Sequence, residues 1–497
     1  MFYTNFLNLK NITYKYINYS SFMKGVNTVY DESVMPSGYT RLSYNYDYSD
    51  GALKDGLGIS VPSVKYSNIS PEYKKLLTLP SGVMVRASWL FPTWHITAKV
   101  YNPILVVYAY NNKFYYNNLH HTSGEWKEIP GITSTDPKPV VTSYNLNGVD
   151  TLLVFSKSTG MFTWVEDTEA RQIDNVPCIS SMCIHNERLF VTSYENERRV
   201  WFSDDLNPTN FTTSLDEGGF IDLVDDFGRS NKVVSFEGYL YVFRDYNIAR
   251  VSAYAEQENF VVSQLYVGSG RILKDTVTMC GNRIMYLASD GLYSFNGSSS
   301  TRINLGINNI FDDNNESAIA GFSNGCYYLA CRLNFDDDPD NAGIGDHDNN
   351  ALIRFDVNSK KLTILRGCNI RDISVINDTK SSFVLVSVKI GDGYKLGLID
   401  NSGKIFDCIT EKVWITAESD YNYPDRQKLI KEIYLETNKD CTVRVSVDGK
   451  SKDFLVKGYE GISVIKPRLK GTKVSVSFLS DTTGTRIANV QVKVGVL

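Results

Sequence analysis

A hydrophobic hairpin that recurs at a regular spacing constrains this chain more than any other feature. Between residues 185 and 297, three pairs of apolar runs flank polar turns: 189–192 with 200–203, 239–243 with 248–252, and 284–288 with 292–295. Each pair predicts two antiparallel strands, and the Asp290-Gly291 step is a strong signal for a tight hairpin. The hairpins start ~40–50 residues apart, which is the spacing of propeller repeats.

The same unit, extended by a third strand, continues on both sides of this stretch. Further pairs of apolar runs occur at 103–110 with 114–116, 151–155 with 161–165, 326–331 with 351–356, and 383–388 with 396–400. A single hairpin cannot bury its own apolar face, so such units must stack around an axis. We therefore predict an all-β fold in which residues 96–420 form a β-propeller of about six to seven blades.

The two flanking regions have a different pattern. Residues 1–95 combine turn formers with short extended segments and predict an extended N-terminal arm, which adds strands to a neighbouring unit or closes the propeller. A plain irregular strand pair is the alternative interpretation. Residues 426–497 contain five alternating strands separated by turns such as Asp448-Gly449, and they predict a small C-terminal β-sandwich.

Composition narrows the class of protein. The net charge is −5, which argues against tight nucleic-acid binding. The eight cysteines form no CxxC pair, and the spacing of Cys326 and Cys331 puts them on opposite faces of one strand; we expect buried free thiols made in a reducing cell. The N-terminus lacks the pattern of a secretory signal, and no apolar run reaches the ~18 residues that a membrane-spanning helix needs.

The candidates for a metal site are weak. The five histidines are scattered over different repeats, so we do not expect them to share a metal. One loop, 334–349, is rich in carboxylates, but it lacks the glycine and the closing glutamate of an EF-hand. It is interpreted as a solvated loop, a calcium site or a contact with another subunit; its carboxylates are Asp336, Asp337, Asp338, Asp340, Asp346 and Asp348.

No motif predicts catalysis. Two turns, 123–126 and 158–164, resemble the Asp-box of sialidase-like propellers, but the aspartate is missing from both. A glycosidase also needs a pair of converging carboxylates. Arg244 and Arg250 lie on a candidate hairpin, where a strand-end surface position explains them equally well. There is no nucleophile elbow and no phosphate loop in its strand-to-helix context. We predict that the chain is not an enzyme and requires no cofactor.

Several short motifs between residues 185 and 297 occur together, and a further match lies upstream at 25–28 and 51–56. In this combination the stretch resembles the tail-nozzle and packaged-DNA-stabilisation (tail hub) proteins of short-tailed phages. The residues that carry the resemblance are Arg188, Arg199, Trp201, Ser203, Asp204, Asn207, Pro208, Asn210, Phe211, Gly238, Arg250, Asp290, Gly291 and Gly297. The chain departs from the family pattern at Asp55, where arginine is usual, and at Arg244, where lysine is common.

The resemblance implies a structural protein of the virion. Copies of the chain, expected to be six, would form a ring in the tail below the portal and adaptor, contact other tail proteins, and enclose a channel for DNA. The ring would retain the packaged genome and open for ejection; DNA contact in the channel would be transient and non-specific. The protein would be made in the host bacterial cytoplasm. A weakly acidic lumen would let DNA slide, and the acidic loop Asp336 to Asp348 is one hypothesis for a gate.

Two other interpretations stay open at this point. A propeller commonly binds ligands at one end of its channel, so the chain is alternatively an adhesin for a host glycan or a partner protein; the fold alone does not decide this. A hydrolase is the third. Ring formation favours the tail protein, glycan binding by a monomer favours the adhesin, and turnover that depends on one carboxylate pair favours the hydrolase.

Overall fold

The computed structural model describes residues 12–19, 22, 24–31, 35, 38–65, 74–76, 79, 83–95, 100–119, 125–214, 217–254, 256–268, 270–335, 348–377 and 382–497. These residues are organised almost entirely as β-strands, with three short 3-10 turns at Gln257–Asn259, Lys274–Thr276 and Asn308–Ile310. Over these ranges, no helix has the length and hydropathy to cross a membrane. The predicted all-β class is confirmed.

The N-terminal region contributes nine short strands. They are β1 (Thr13–Asn18), β2 (Gly25–Val26), β3 (Tyr39–Thr40), β4 (Leu42–Tyr44), β5 (Tyr46–Asp47), β6 (Leu53–Asp55), β7 (Gly58–Ser60), β8 (Ser63–Lys65) and β9 (Lys74–Leu76). β2 pairs with β3 in parallel, and β8 pairs with β9. β5 pairs with β6, and β1, β4, β6 and β7 pair with strands far along the chain, as described below.

Seven consecutive antiparallel sheets follow in the described part of the chain. Six have four strands each in chain order: β10 (Val85–His95) to β13, β14 (Val140–Leu146) to β17, β18 (Ile179–His185) to β21, β22 (Ser230–Phe236) to β25, β26 (Thr278–Met279) to β29, and β30 (Ile319–Ser323) to β33. The seventh contains β34 (Ile370–Asn377), β35 (Ser382–Ile390), β36 (Gly393–Asp400), β37 (Lys404–Ile405) and β38 (Cys408–Ile409), with β7 paired to β36.

The remaining strands of the first six sheets have these bounds: β11 (Val100–Ala109), β12 (Lys113–Asn118), β13 (Lys127–Thr133), β15 (Val149–Ser156), β16 (Gly160–Trp164), β17 (Arg171–Ile173), β19 (Arg188–Ser193), β20 (Arg199–Phe202), β21 (Gly219–Asp222), β23 (Tyr239–Arg244), β24 (Asn247–Ser252), β25 (Val261–Val267), β27 (Ile284–Ala288), β28 (Gly291–Phe295), β29 (Ser300–Arg302), β31 (Cys326–Cys331), β32 (Ala351–Asp356) and β33 (Leu362–Arg366). The pairings of β19 with β20, β23 with β24 and β27 with β28 confirm the three predicted hairpins.

The first strands of the sheets follow one another around a ring, in which the turn Lys274–Thr276, just before β26, provides the contact with β22. β14 contacts β18, β18 contacts β22, β26 contacts β30, and β30 contacts β34, while β10 contacts both β14 and β34. The fourth and fifth sheets share an aromatic core in which Phe243 packs edge-on against Tyr286, with ring centroids 5.5 Å apart. The architecture is therefore propeller-like, and we call the first strands of the seven sheets the inner strands.

Tight turns set the register between the inner strands and the strands that follow. Both central residues have positive φ in Asn147-Gly148 (52° and 80°), Glu237-Gly238 (48° and 79°) and Asn324-Gly325 (50° and 76°). This is the geometry of a type I′ turn, whose twist matches that of a two-stranded ribbon. The residues of each turn thus specify where the hairpin reverses and how its two strands are aligned.

The C-terminal part is a sandwich of two sheets. Its strands are β39 (Lys412–Ile415), β40 (Lys428–Thr437), β41 (Cys441–Val447), β42 (Lys450–Val456), β43 (Tyr459–Ile465), β44 (Leu469–Gly471), β45 (Val474–Ser480) and β46 (Arg486–Val496). One sheet has the order β4-β39-β45-β41-β42. The other has the order β43-β40-β46-β6-β5, with β1 also paired to β46 and β44 to β40. Trp414 fills the core, edge-on to Phe22 at 5.2 Å and to Tyr48 at 5.1 Å.

The N-terminal strands join the two parts. β1, β4, β5 and β6 complete the sandwich, while β7 belongs to the seventh ring sheet. One continuous core combines Leu42, Tyr44 and Val413 with Tyr327 and Ile364 of the sixth ring sheet. β10 already belongs to the first ring sheet, ahead of the predicted limit at 96, and β39 belongs to the sandwich, ahead of 426. Which sheet each strand joins depends on partners elsewhere in the chain, such as β45 for β39, and the local sequence does not specify them.

All eight cysteines are free thiols, as predicted, but one of them is not buried. Cys408 is exposed, because it lies in the short hairpin of β37 and β38 at the edge of the seventh sheet. Cys178, Cys183 and Cys326 are half-buried. The expectation of uniformly buried thiols is therefore wrong at Cys408.

Candidate functional site

Charged side chains from non-adjacent sheets meet at the centre of the ring. They lie at or just before the starts of inner strands: Lys138 before β14, Lys232 on β22, Lys274 and Asp275 in the turn before β26, and Asp372 on β34. Lys138 of the second sheet bonds to Asp372 of the seventh, and its charge also acts on Asp275 before the fifth. Groups from sheets so far apart in the ring can interact only across its centre. We call these five residues the central cluster.

A repeated backbone irregularity sets up this arrangement. The pairing of an inner strand with its neighbour shifts register at the same place in four sheets: between Val85 and Ala87, Ile179 and Ser181, Ser230 and Lys232, and Ile370 and Asp372. A β-bulge adds one residue and redirects the side chains around it. In the fourth and seventh sheets, the residue that follows the bulge is a member of the central cluster.

Asp372 is the most buried member of the cluster. Its side chain is 1% exposed and pairs with the ammonium of Lys138, which is 34% exposed. Its other oxygen accepts the Ser88 backbone N–H of the first sheet at 2.8 Å. Ser88 Oγ also contacts Ser374 Oγ at 2.6 Å. One carboxylate thus ties together the first, second and seventh sheets, where the ring closes.

Lys232 and Asp275 are charged groups for which no ion pair is found among the described residues. Burial lowers the pKa of Lys232. The positive charges of Lys138 and Lys274 lower this pKa further, while the negative charge of Asp275 raises it. Burial alone would raise the pKa of Asp275, but the three lysines outweigh it and hold that pKa below its ordinary value. The centre of the ring is therefore an electrostatically coupled site that carries one more cation than anions.

A second ionic network lies at the fourth and fifth sheets. The Asp245 carboxylate accepts from the Arg229 backbone N–H at 2.9 Å, from Asn231 Nδ2 at 2.9 Å and from Arg271 Nε at 3.3 Å. Burial would raise the pKa of Asp245, yet the hydrogen bonds from Arg229 and Asn231 and the charge of Arg229 hold that pKa below its ordinary value. Arg271 also forms a bidentate pair with Glu316. The network borders a cavity of about 180 Å³.

A wide cleft lies beside the seventh sheet, with a volume of about 930 Å³. Two of its aromatic walls are covered by cations: Arg366 lies 4.7 Å from the Tyr44 ring, and Lys395 lies 4.0 Å from the Phe406 ring. Cys408 also lines it. The charges on its walls are mixed, so no ligand class follows from them.

The residues of the family signature stabilise loops and turns. Arg188 Nη1 donates to the carbonyl of Ser203 at 2.9 Å and to that of Glu217 at 3.0 Å. Ser203 Oγ accepts the Leu189 N–H at 2.9 Å. In the loop that follows, the Asp204 N–H donates to the Asn210 carbonyl at 2.8 Å, Asn207 Oδ1 accepts from Thr209, and Phe211 is buried beside the second sheet; Pro208 is buried as well.

The other signature residues have similar local roles. Arg199 forms a bidentate pair with Asp222 at 2.6 and 2.9 Å and stacks over the Phe220 ring, which in turn packs on Trp201. Arg250 lies over the Tyr239 ring at 4.6 Å. The signature glycines Gly238, Gly291 and Gly297 all have positive φ, which is 140° at Gly291. Asp290 Oδ2 accepts from the Tyr293 hydroxyl at 2.7 Å.

Of the six carboxylates in the predicted acidic loop, one lies among the described residues. Asp336, Asp337, Asp338, Asp340 and Asp346 lie outside the described residues, as do His120, His121 and His347. Asp348 is described and pairs with Arg371 at the start of β34. Within the described ranges, no group of three or more histidine, cysteine, aspartate or glutamate residues is arranged to hold a metal ion. The calcium and gate hypotheses stay predictions.

Sequence reasoning missed the central cluster. The signal that was available is positional, since each member lies within a few residues of the start of an inner strand. The two departures from the family pattern both have partners: Asp55 pairs with the fully buried ammonium of Lys412, and Arg244 pairs with Asp225. Both positions are thus explained as structural ion pairs.

Comparison with known proteins adds little to this picture. No family model matches the chain, and no curated protein sequence matches it. Among solved structures, Raptor from Chaetomium thermophilum is similar with a TM-score of 0.43 and 11% sequence identity. The match covers 66% of this chain and 29% of that one, so this chain spans less than a third of Raptor. A likeness of this degree carries no argument about function.

Proposed function

We propose that the chain is a structural protein of a bacteriophage tail: a subunit of the nozzle or hub ring below the portal and adaptor. Copies of it, six in the simplest arrangement, surround a channel that retains the packaged genome and opens for ejection. The protein is made in the host bacterial cytoplasm and ends in the virion. The role is mechanical and involves no catalysed reaction and no cofactor.

The observation that carries the proposal is the family signature together with the contacts its residues make. The signature extends over the third, fourth and fifth sheets, and each residue discussed above shapes a turn, fixes a loop or joins neighbouring strands of one sheet. These contacts hold the backbone of the three sheets in shape. This supports a protein whose function is to hold a defined position in an assembly.

The way the two parts are joined gives further support. The sandwich and the ring share the N-terminal strands and one continuous core, so a force on one part is transmitted to the other through paired strands. A part of a pressurised channel has to bear load in this manner. A flexible linker between the two parts would not transmit it.

The test is assembly of the full chain. Native mass spectrometry and particle imaging are applied to the chain alone and to the chain mixed with portal–adaptor complexes from disrupted virions. We expect a six-fold ring that caps the portal complex. A chain that stays monomeric and ignores the portal complex refutes the proposal.

The central cluster favours one alternative, an adhesin that binds an acidic glycan or a partner at one mouth of the ring. Lys232 is a cation for which the described residues show no ion pair, and ring centres are common ligand sites in propellers. Binding of a sialylated or uronic-acid glycan by the monomer, lost in Lys232→Gln, would support this alternative. Unchanged binding in that variant, or no binding at all, counts against it.

A further inference from the structure

One face of the sandwich exposes large apolar side chains. Tyr14 and Tyr16 on β1 are 38% and 52% exposed, and Ile462 and Val464 on β43 are 56% and 45% exposed. They form two exposed apolar pairs, each on its own strand, and such pairs at strand edges mark candidate contact surfaces.

All four side chains lie on the same face of the sheet. A row of neighbouring side chains connects the two ends. Tyr16 lies opposite Lys493, which bonds to Glu432 at 3.1 Å. Glu432 accepts from the hydroxyl of Tyr434, two residues along the same strand, and Tyr434 lies opposite Val464. Side chains two residues apart on a strand share a face, which adds Tyr14 and Ile462. The apolar groups thus stand at the two ends of one continuous surface.

Both ends of this surface are strand edges. In the described part of the chain, β1 pairs with β46 and with no other strand, and β43 pairs with β40 and with no other strand. An unpaired edge with exposed apolar side chains is a template for another strand. The molecule presents two such edges, one at each side of the same sheet.

The strand directions allow the two edges to meet. β1 is antiparallel to β46, β46 to β40, and β40 to β43. β1 and β43 therefore run in opposite directions, so a second copy in the same orientation brings its β1 antiparallel to the β43 of the first. The surface with the exposed side chains then continues from one copy to the next, which is the geometry of a head-to-tail ring.

The side chains on the two edges complement each other. An antiparallel register that aligns the six residues of β1 with β43 places Tyr14 opposite Val464 and Tyr16 opposite Ile462. Aromatic and β-branched residues are favourable cross-strand neighbours.

The charges beside the two edges also differ in sign. Lys431 and Lys493 lie over the Tyr14 ring at 4.5 and 5.4 Å. Glu460 lies on β43, and Glu436 lies opposite Ile462. In the register described above, Lys466 falls beyond the paired segment, since β43 ends at Ile465.

We propose that a second copy of this chain docks head to tail on the sandwich, its β1 edge paired with the β43 edge of the first copy. The inference rests on the proposed ring and names the surface that builds it. It predicts one continuous sheet across each subunit boundary.

The experiment compares three full-length variants with the wild-type chain. Ile462→Lys puts a cation opposite Tyr16, near Lys431 and Lys493, and Tyr16→Glu puts an anion opposite Ile462. Each is expected to weaken self-association by about 100-fold, because the new charge replaces an apolar cross-strand contact and has to lose its water at the interface. The control is Val261→Glu on the edge strand β25, where the side chain is similarly exposed, and it is expected to assemble normally.

Mixing the two defective variants is the decisive step. In a head-to-tail ring, the new lysine of one variant meets the new glutamate of the other, and the next boundary is wild type. Equimolar Ile462→Lys and Tyr16→Glu are therefore expected to regain assembly as an alternating ring, which native mass spectrometry resolves by mass. In parallel, hydrogen exchange should show protection of the β1 and β43 amides on assembly, and no change in β25.

The remaining outcomes separate this inference from the proposed function. If Ile462→Lys fails to assemble while Tyr16→Glu assembles normally, the β43 edges pair with each other and the head-to-tail inference is wrong. If all variants form rings like the wild-type chain, another surface builds the ring, and only this inference falls. If the wild-type chain forms no ring even on portal–adaptor complexes, the proposed function and the inference fail together.

Discussion

Removal of the Asp372 carboxylate tests whether one side chain holds the ring closed. Asp372→Ala leaves the buried Ser88 N–H without its acceptor, at a cost of about 1–3 kcal/mol. It also leaves Lys138 without its counter-ion. The loss of one partner of a fully buried ion pair costs about 3–5 kcal/mol, but a third of the Lys138 side chain is exposed, so we assign about 1 kcal/mol to this part. The free energy of unfolding should fall by about 2–4 kcal/mol in total.

A second substitution separates the two contributions. In Asp372→Asn the carboxamide oxygen still accepts the Ser88 N–H, and only the attraction to Lys138 is lost. The expected decrease is then about 1 kcal/mol, at most half of the effect of Asp372→Ala. The control is Asp453→Ala, which breaks the exposed pair between Asp453 and Arg444 in the sandwich and should change little.

Thermal unfolding followed by near-ultraviolet circular dichroism measures these differences. A decrease of 1 kcal/mol shifts the midpoint by about 2–4 °C in a domain of 150–250 residues, and by somewhat less in a larger one. We therefore expect a shift of about 4–8 °C for Asp372→Ala and about half of that for Asp372→Asn. Equal midpoints for Asp372→Ala and Asp453→Ala would refute the reasoning, as would equal effects of the two Asp372 variants.

Three further predictions concern pH, thiol chemistry and core packing. The folded-state pKa of Asp245 lies below its ordinary value, so the stability it provides is present near neutral pH and lost as the pH falls below about 4; Asp245→Asn should flatten the acid limb of a plot of midpoint against pH. Cys408 should react first with iodoacetamide at pH 7.5, because it is exposed while burial raises the pKa of Cys368 to about 12; peptide mass spectrometry identifies the labelled site, and faster labelling of Cys368 would contradict the prediction. Trp414→Ala should destabilise the sandwich by about 3–5 kcal/mol, measured by urea unfolding, and Trp94→Ala, at an exposed ring position, is its control.

The sequence predicted the hairpins well because their determinants are local. The Glu237-Gly238 turn requires positive φ at two adjacent residues, and alternating apolar residues on either side fix which face is buried. The free state of the cysteines was expected from the absence of CxxC pairs and from the reducing compartment that we inferred. In contrast, the destination of the N-terminal strands depends on partners such as Leu398 of β36, which are remote in the chain and leave no local trace.

The central cluster was not predictable for a related reason. Lys232 and Asp372 are ordinary charged residues near strand starts, and only the β-bulges and ring closure bring them to one place. The signature residues were recognised, but their roles became clear only from contacts such as that of Arg188 with the Ser203 carbonyl. Pairwise contacts between sheets are set by topology, which periodicity does not encode.

The shared N-terminal strands have a consequence for how the chain folds during synthesis. β7 leaves the ribosome early, yet its partner β36 is made only after six other ring sheets, and β1 waits for β46 at the end of the chain. The early strands therefore remain without partners for most of translation, and closing such long loops makes folding slow. Truncation that removes β46 should leave these strands exposed and unpaired, so truncated chains should aggregate or recruit chaperones, whereas β1 is paired once β46 has been made.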